Sequence, residues 1–140
     1  GSLTLRSADP SDPPDLDPAY LTAPEDLEAM VASIELNRAV ARQSPLREWI
    51  EEELYPGPGV TGPAALREYI RRALGSYHHQ VGTCRMGTDP MAVVDPQLRV
   101  HGIDGLRVAD ASVMPRVTSG NTNAPTVMIG ARAAALIGGA

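Results

Sequence analysis

The sequence predicts an α+β chain, with helices packed on the strands of a mixed or antiparallel sheet, and three observations predict it. Apolar residues recur at helical spacing through much of the stretch from Pro24 to Leu74. After Ser76 the pattern changes to short β-branched runs separated by an Asp-Gly turn. A polar loop then feeds a last stretch of helical character. With 140 residues, 43% of them hydrophobic and 21% charged, the chain can bury a core and is too apolar for a disordered segment.

In chain order, Leu3-Thr4-Leu5-Arg6 alternates as a strand does, and its abrupt start reads as part of a longer chain. Ser7 to Pro18 mixes Asp9, Asp12, Asp15 and Asp17 with Pro10, Pro13, Pro14 and Pro18. That composition predicts a loop, because proline fixes φ and removes a donor while aspartate bonds its own backbone. Pro24 with Glu25 and Asp26 suits a first helical turn, and Leu27, Met30, Val31 and Ile34 continue a helix to about Gln43. Ser44-Pro45 predicts the cap and first position of a second helix through Tyr55, burying Leu46, Trp49, Ile50 and Leu54. A third helix runs from Pro63 to Leu74 with Leu66, Tyr69, Ile70 and Ala73 on one face and Glu68 spaced to pair with Arg72.

The runs Leu98-Arg99-Val100 and Leu106-Arg107-Val108 flank His101-Gly102-Ile103-Asp104-Gly105, which predicts two strands and a turn. Beyond the polar loop Ser119 to Asn123, a final helix spans about Ala124 to Ile137, with Pro125 in its first turn and Gly138 past its end. Met86, Met91, Met114 and Met128 are expected to serve packing rather than chemistry.

Several function classes are excluded or disfavoured. All twelve basic residues are arginine, they are interspersed with acids, and the net charge is -5, which leaves no basic patch for nucleic acid. No uninterrupted apolar run is long enough to cross a bilayer. Cys84 is the single thiol, so no internal disulfide forms, and with no charged-then-apolar leader the chain is expected in the cytoplasm. Gly57-Pro58-Gly59-Val60-Thr61-Gly62 has the spacing of a dinucleotide fingerprint but not its context. A helix is predicted before it where a strand is required, and Pro56, Pro58 and Pro63 remove donors, so it reads as a turn.

Two segments carry residue types suited to chemistry. In Tyr77-His78-His79-Gln80-Val81-Gly82-Thr83-Cys84-Arg85-Met86-Gly87, adjacent histidines precede a small-residue turn. A neutral imidazole takes a proton from a hydroxyl near neutral pH, although a histidine bonded into the structure accounts for the same residues. His78, His79, Cys84 and His101 are metal-ligand types, but their spacing matches no zinc pattern and no metal is expected. In Asn121-Thr122-Asn123-Ala124-Pro125-Thr126 a polar loop becomes a helix, whose free N–H groups and dipole suit an anion or a developing negative charge. Asn123 as a plain N-cap explains that segment equally well.

Together these segments resemble the C-terminal part of the glucose-methanol-choline (GMC) flavoenzymes, with a choline dehydrogenase-like pattern. The resemblance rests on His79 to Gly87, then Val94-Asp95-Pro96 and Leu98-Arg99-Val100, then Gly105 to Pro115, then Asn121 to Gly130, all in one order, and the opening Gly1 to Pro10 extends it over essentially the whole chain. It implies one C-terminal domain over 1–140, with 1–75 a substrate-side part and 76–140 the catalytic-motif segment, whose last strand and helix complete an FAD-binding domain in a longer parent.

The resemblance further implies FAD-dependent oxidation of an alcohol to a carbonyl, with His79 taking the hydroxyl proton while hydride passes to the flavin. It selects His79 over His78, which occupies a position where the family often has an aromatic residue. It places Asn121 at the family's second catalytic position, and Thr122, Asn123 and Ala124 near the pyrimidine edge of the flavin. Asp110 and Ala111 match the segment that approaches the phosphates and ribityl chain. The family's adenine-binding half and pocket-covering segments are not in these 140 residues. The expected partners are therefore that FAD-binding domain and a small alcohol, and the isolated chain is expected to be inactive. A non-catalytic structural or interaction module that keeps the family fold is the competing reading.

Overall fold

The computed structural model describes residues 1–139 and is α+β, as expected; the last residue of the 76–140 segment lies outside them. The chain divides into two compact units, Gly1–Gly75 and Ser76–Ala140.

In the first unit, strand β1 (Ser2–Thr4) pairs antiparallel with β2 (Asp15–Asp17), Ser2 opposite Asp17 and Thr4 opposite Asp15. Composition predicts a loop at Asp15–Asp17, and the strand there is a correction. The aspartates and prolines do form a bend, with Asp9 accepting from the Ser11 N–H at 2.9 Å. That bend brings Asp15 back beside Thr4, where Arg6 donates to its carboxylate at 2.7 Å.

Helix α1 (Pro24–Ala41) opens on Pro24 with Glu25 and Asp26 in its first turn, where acids favour the dipole. Helix α2 (Gly62–Ala73) starts beside Pro63 and packs on α1. Leu27 and Val31 meet Leu66 and Ile70 in a small core flanked by Ile34 and Tyr69, whereas Ala73 is exposed. A two-pronged Arg67–Glu28 bond at 2.6 and 2.8 Å ties the helices across their surface, and Glu68 meets Arg72 at 3.5 Å.

The predicted helix over Ser44–Tyr55 is a correction. Only a 3-10 turn forms, Leu46–Trp49, and the chain then runs without regular structure to α2. Trp49 and Leu54, expected in the core, are 85% and 70% exposed. A contact distant in sequence overrides the local helical pattern. Arg38 of α1 draws in Glu53 at 3.0 and 3.1 Å, then donates to the carbonyls of Val60 at 2.9 Å and Gly57 at 3.4 Å. The Gly57–Gly62 segment is indeed a turn, with Val60 N–H donating to Gly57 O at 3.1 Å. The helix expected before it is absent among the described residues, and the Arg38 guanidinium holds the turn through the Gly57 and Val60 carbonyls.

The second unit buries Val94, Leu98, Val113, Met114, Ile129 and Ala133. The expected strands at 98–100 and 106–108 shrink to isolated bridges: Arg99 pairs with Arg107, Val94 with Val100 and with Met86. Leu98 has φ +66°, a left-handed conformation from which no extended strand starts, and the Asp95-Pro96 turn and the Gly102 to Gly105 turn cut both runs short. The strand expected before the last helix is therefore absent among the described residues. Helix α3 (Asn123–Gly138) then closes the unit, ending on Gly139 in the left-handed conformation, one residue past the predicted stop. Of the methionines, Met114 is buried, but Met91 and Met128 are 77% and 58% exposed.

Candidate functional site

The site is built from three short stretches of the second unit. The histidine stretch is held by its own backbone first. His78 adopts φ +61°, its N–H donates to Ser76 Oγ at 3.0 Å, and the Gln80 side chain reaches the same hydroxyl. Ser76 thus clamps both neighbours of His79.

Downstream, Gly82 and Cys84 donate to Ser112 O at 3.1 and 3.0 Å, and Met86 donates to Val113 O at 2.8 Å. Gly82 makes this approach with φ +93°, and a Cβ there would meet Met114 O at 3.5 Å.

Those acceptors sit in a second 3-10 turn, Ala111–Val113, capped by Asp110. The Asp110 carboxylate takes Ser112 N–H at 2.8 Å and the Ser112 hydroxyl as well. Those two bonds, the hydroxyl first, hold its pKa below the usual carboxylate value, so it is an anion at neutral pH. Asp110 and Ala111 are linked to the histidine stretch through the backbone of Ser112 and Val113 rather than through their side chains.

The third stretch is the start of α3. Its cap is Thr122, not Asn123, and Thr122 makes no side-chain capping bond. Its hydroxyl instead meets His79 Nδ1 at 3.0 Å. The first turn contains no acid, and Asn123 and Ala124 are exposed with N–H groups that no helix carbonyl reaches. The plain N-cap reading of Asn123 fails, and the helix end is left with its positive dipole uncompensated. Asn121, next in the chain to Thr122, is exposed and its side chain makes no hydrogen bond among the described residues.

The resulting arrangement centres on His79, which is half-buried. Nδ1 is held by Thr122, the Tyr77 ring stands edge-on at 5.6 Å and 73°, and Nε2 is buried with no hydrogen-bond partner among the described residues. A buried polar atom without a partner costs free energy, so an imidazole held with one nitrogen free is poised for an incoming group. It can take or give one proton through that nitrogen. The other ligand-type residues do not join it: His101 Nε2 lies 3.1 Å from Gly87 O, and no metal-binding group of His, Cys, Asp or Glu forms among the described residues. No helix among those residues is long and apolar enough to cross a membrane.

The structure thus brings His79 and Thr122 into contact, sets Asn121, Asn123 and Ala124 around Thr122 in the chain, and supports the histidine stretch on the Asp110–Val113 turn. The feature that sequence reasoning missed is the direction of the Thr122 side chain. No local signal announces it, because a threonine preceding a helix ordinarily caps that helix.

A family model described as GMC oxidoreductase matches residues 1–130. An alcohol dehydrogenase [acceptor] from Pseudomonas putida is 46% identical over 137 residues, covering 98% of this chain and 25% of the relative. A chloroplastic fatty acid photodecarboxylase from Chlamydomonas reinhardtii is 43% identical over 142 residues, 99% of this chain and 23% of the relative. Among solved structures, pyridoxine 4-oxidase from Mesorbium loti superposes with a TM-score of 0.89 at 36% identity over 100% of this chain and 27% of that one. The chain therefore spans about a quarter of the length of the relatives it matches.

Proposed function

The chain belongs to the GMC oxidoreductase family, and from that premise we propose that it supplies the base side of an FAD-dependent oxidation of an alcohol to a carbonyl. One relative carries the name of a decarboxylase, so membership alone does not choose the reaction, and the site must carry the reading. The observation that carries it is the buried, partnerless Nε2 of His79 on a ring fixed by Thr122.

In this reading His79 Nε2 receives the alcohol's hydroxyl proton: the O–H bond breaks, an N–H bond forms, and electron density rises on the oxygen. That density makes the neighbouring carbon a better hydride donor. Asn121, exposed beside Thr122, donates its amide to the alcohol oxygen without competing as a base. When bound, FAD supplies the acceptor for the hydride.

The residues present fit that cofactor. The α3 end has no capping side chain, no acid and unpaired N–H groups at Asn123 and Ala124, which favours negative charge beside it and more of it in the transition state than before. Asn123 and Ala124, with the backbone of Thr122, would hold the pyrimidine edge, and Asp110 and Ala111 the ribityl and phosphate side. The rest of the FAD-binding domain would come from the part of the protein outside these residues, and a chain with one thiol suits the cytoplasm.

The test is turnover by the protein carrying this chain together with its FAD-binding part. Asn121→Ala is expected to slow alcohol oxidation on the order of a hundredfold, as loss of one oxyanion donor does, with flavin still bound. Unaltered rates would remove Asn121 from the site.

A further inference from the structure

Thr122 is the one buried polar residue among the described residues, only 6% exposed, and its place in the helix makes its behaviour informative. A threonine at a helix start ordinarily turns its hydroxyl onto the second or third N–H of that helix. Thr122 does not: it sits at φ -79°, ψ -7°, its backbone carbonyl takes both the N–H of Thr126 at 3.0 Å and its hydroxyl at 2.6 Å, and its own hydroxyl is spent on His79. The Thr122 backbone is thus fixed by α3, and its hydroxyl is aimed at one atom, Nδ1.

We propose that Thr122 is a positioning residue for His79, whose hydroxyl accepts the Nδ1 proton and so keeps the lone pair on the partnerless Nε2. This rests on the reading of His79 as the base. The proton balance requires this orientation. A neutral imidazole carries one N–H, and an Nε2 that is to receive the alcohol's proton must start without one, so Nδ1 must hold it. Once Nε2 is protonated, both nitrogens carry hydrogen, and Nδ1–H needs an acceptor, which Thr122 Oγ1 at 3.0 Å provides. The same hydroxyl therefore selects the competent form before the transfer and stabilises the charged ring after it.

The choice of threonine has a consequence for α3 as well. A side chain that turned back to cap the helix would release the histidine and quench the uncompensated helix end at the same time, whereas Thr122 turned outward serves both. Position 122 thus links the base and the charge-accepting helix end through one residue.

The experiment uses the flavin-loaded protein that carries this chain, labelled with [15N]histidine, with His79→Asn identifying the His79 signals. In the unsubstituted protein the neutral His79 ring is expected to show its proton on Nδ1. Thr122→Val, which keeps the shape and removes the hydroxyl, is expected to move the proton toward Nε2 and to lower kcat about tenfold to a hundredfold, with KM little changed because the hydroxyl it removes is engaged with His79. Thr122→Ser is expected to restore both the spectrum and the rate, which a purely structural role would not require.

A proton found on Nε2 in the unsubstituted protein overturns the proposal, and that reading needs no variant to fold. An unchanged spectrum and rate in Thr122→Val also overturns it while leaving the base assignment standing, provided His79→Asn is inactive. Full turnover in His79→Asn removes the base itself and the proposal with it.

Discussion

Replacing His79 by asparagine or by glutamine separates the two nitrogens of the ring, and the contrast between the variants is the sharpest check on the site. Asparagine ends at the position of Nδ1, so His79→Asn keeps a partner for the Thr122 hydroxyl, now 3.0 Å from Nδ1, and deletes Nε2. Glutamine extends to the position of Nε2 and leaves the hydroxyl unmatched. Because Thr122 is only 6% exposed, water does not readily replace the lost partner, and an unpaired hydroxyl there costs about 1–3 kcal/mol of stability. Neither amide takes a proton, so both variants lose the base, worth about 10²–10⁴ in rate. Anaerobic stopped-flow bleaching of the flavin by a saturating alcohol reads the chemical step, and urea midpoints read the stability. Both variants are expected to fall by that factor in rate, with only His79→Gln losing stability. Bleaching by His79→Asn within tenfold of the parent rate would refute the base assignment. Equal stability losses in the two variants would refute the role given to Nδ1.

Two further outcomes follow from the same geometry. The Asp110 carboxylate titrates below its ordinary value of 3.8, held down by the Ser112 hydroxyl and then the Ser112 N–H; its bonds therefore stabilise the fold above that value and are lost as pH falls through the depressed one. The urea-midpoint gap between parent and Asp110→Asn is expected to stay level from neutral pH to about 4 and close below it; a gap that widens on acidification reverses the sign. The 140-residue chain alone is expected to bind FAD weakly in a fluorescence titration and to leave alcohol unoxidised, since only the α3 end and the Asp110 turn are on it; tight binding would show that the remainder of the family's cofactor domain is dispensable.

How much of this was legible beforehand varied with the range of the interaction. Helices α1 and α2 were readable because Leu27, Val31 and Ile34, and again Leu66 and Ile70, repeat at the spacing that buries one face, and each helix opens on a proline that fits its first turn. The final helix was readable within a residue at each end for similar reasons. The Ser44–Tyr55 helix was not, because nothing local reveals that Glu53 will be claimed by a guanidinium fifteen residues earlier. The pairing of Asp15–Asp17 with β1 was hidden by the composition that makes its bend. Within the site, the histidine and the loop before α3 stood out by residue type and order, whereas the hydrogen bond joining them spans 43 residues and depends on a side-chain rotamer. Residue types mark where chemistry is available; which nitrogen is free is a property of packing.

The same reasoning predicts what holds the first unit's long connection. The Arg38 side chain is 14% exposed, and beyond Glu53 and Glu35 it serves two carbonyls, Val60 O at 2.9 Å and Gly57 O at 3.4 Å. The Glu53 carboxylate beside it raises its pKa above the ordinary arginine value, so the charge is permanent at any working pH. Arg38→Met keeps the aliphatic stem against α1 and removes every donor at once. Glu53 is 32% exposed and regains water, so its share of the loss is discounted toward the low end for ion pairs. The carbonyl of Val60, half-buried, is less easily rehydrated and brings the total to about 2 kcal/mol. The loss is expected to appear first as opening of residues 50–61, because α1 and α2 keep their own core of Leu27, Val31, Leu66 and Ile70. Hydrogen exchange reads this directly: the Val60 amide, bonded to Gly57 O at 3.1 Å, should lose protection in Arg38→Met while the amides inside α2 keep theirs. If Val60 stayed protected, the turn would be holding itself and the guanidinium would be only a passenger. If α2 exchanged along with it, the connection and the helices would be one cooperative unit, and Arg38 would belong to the core of Leu27, Val31, Leu66 and Ile70.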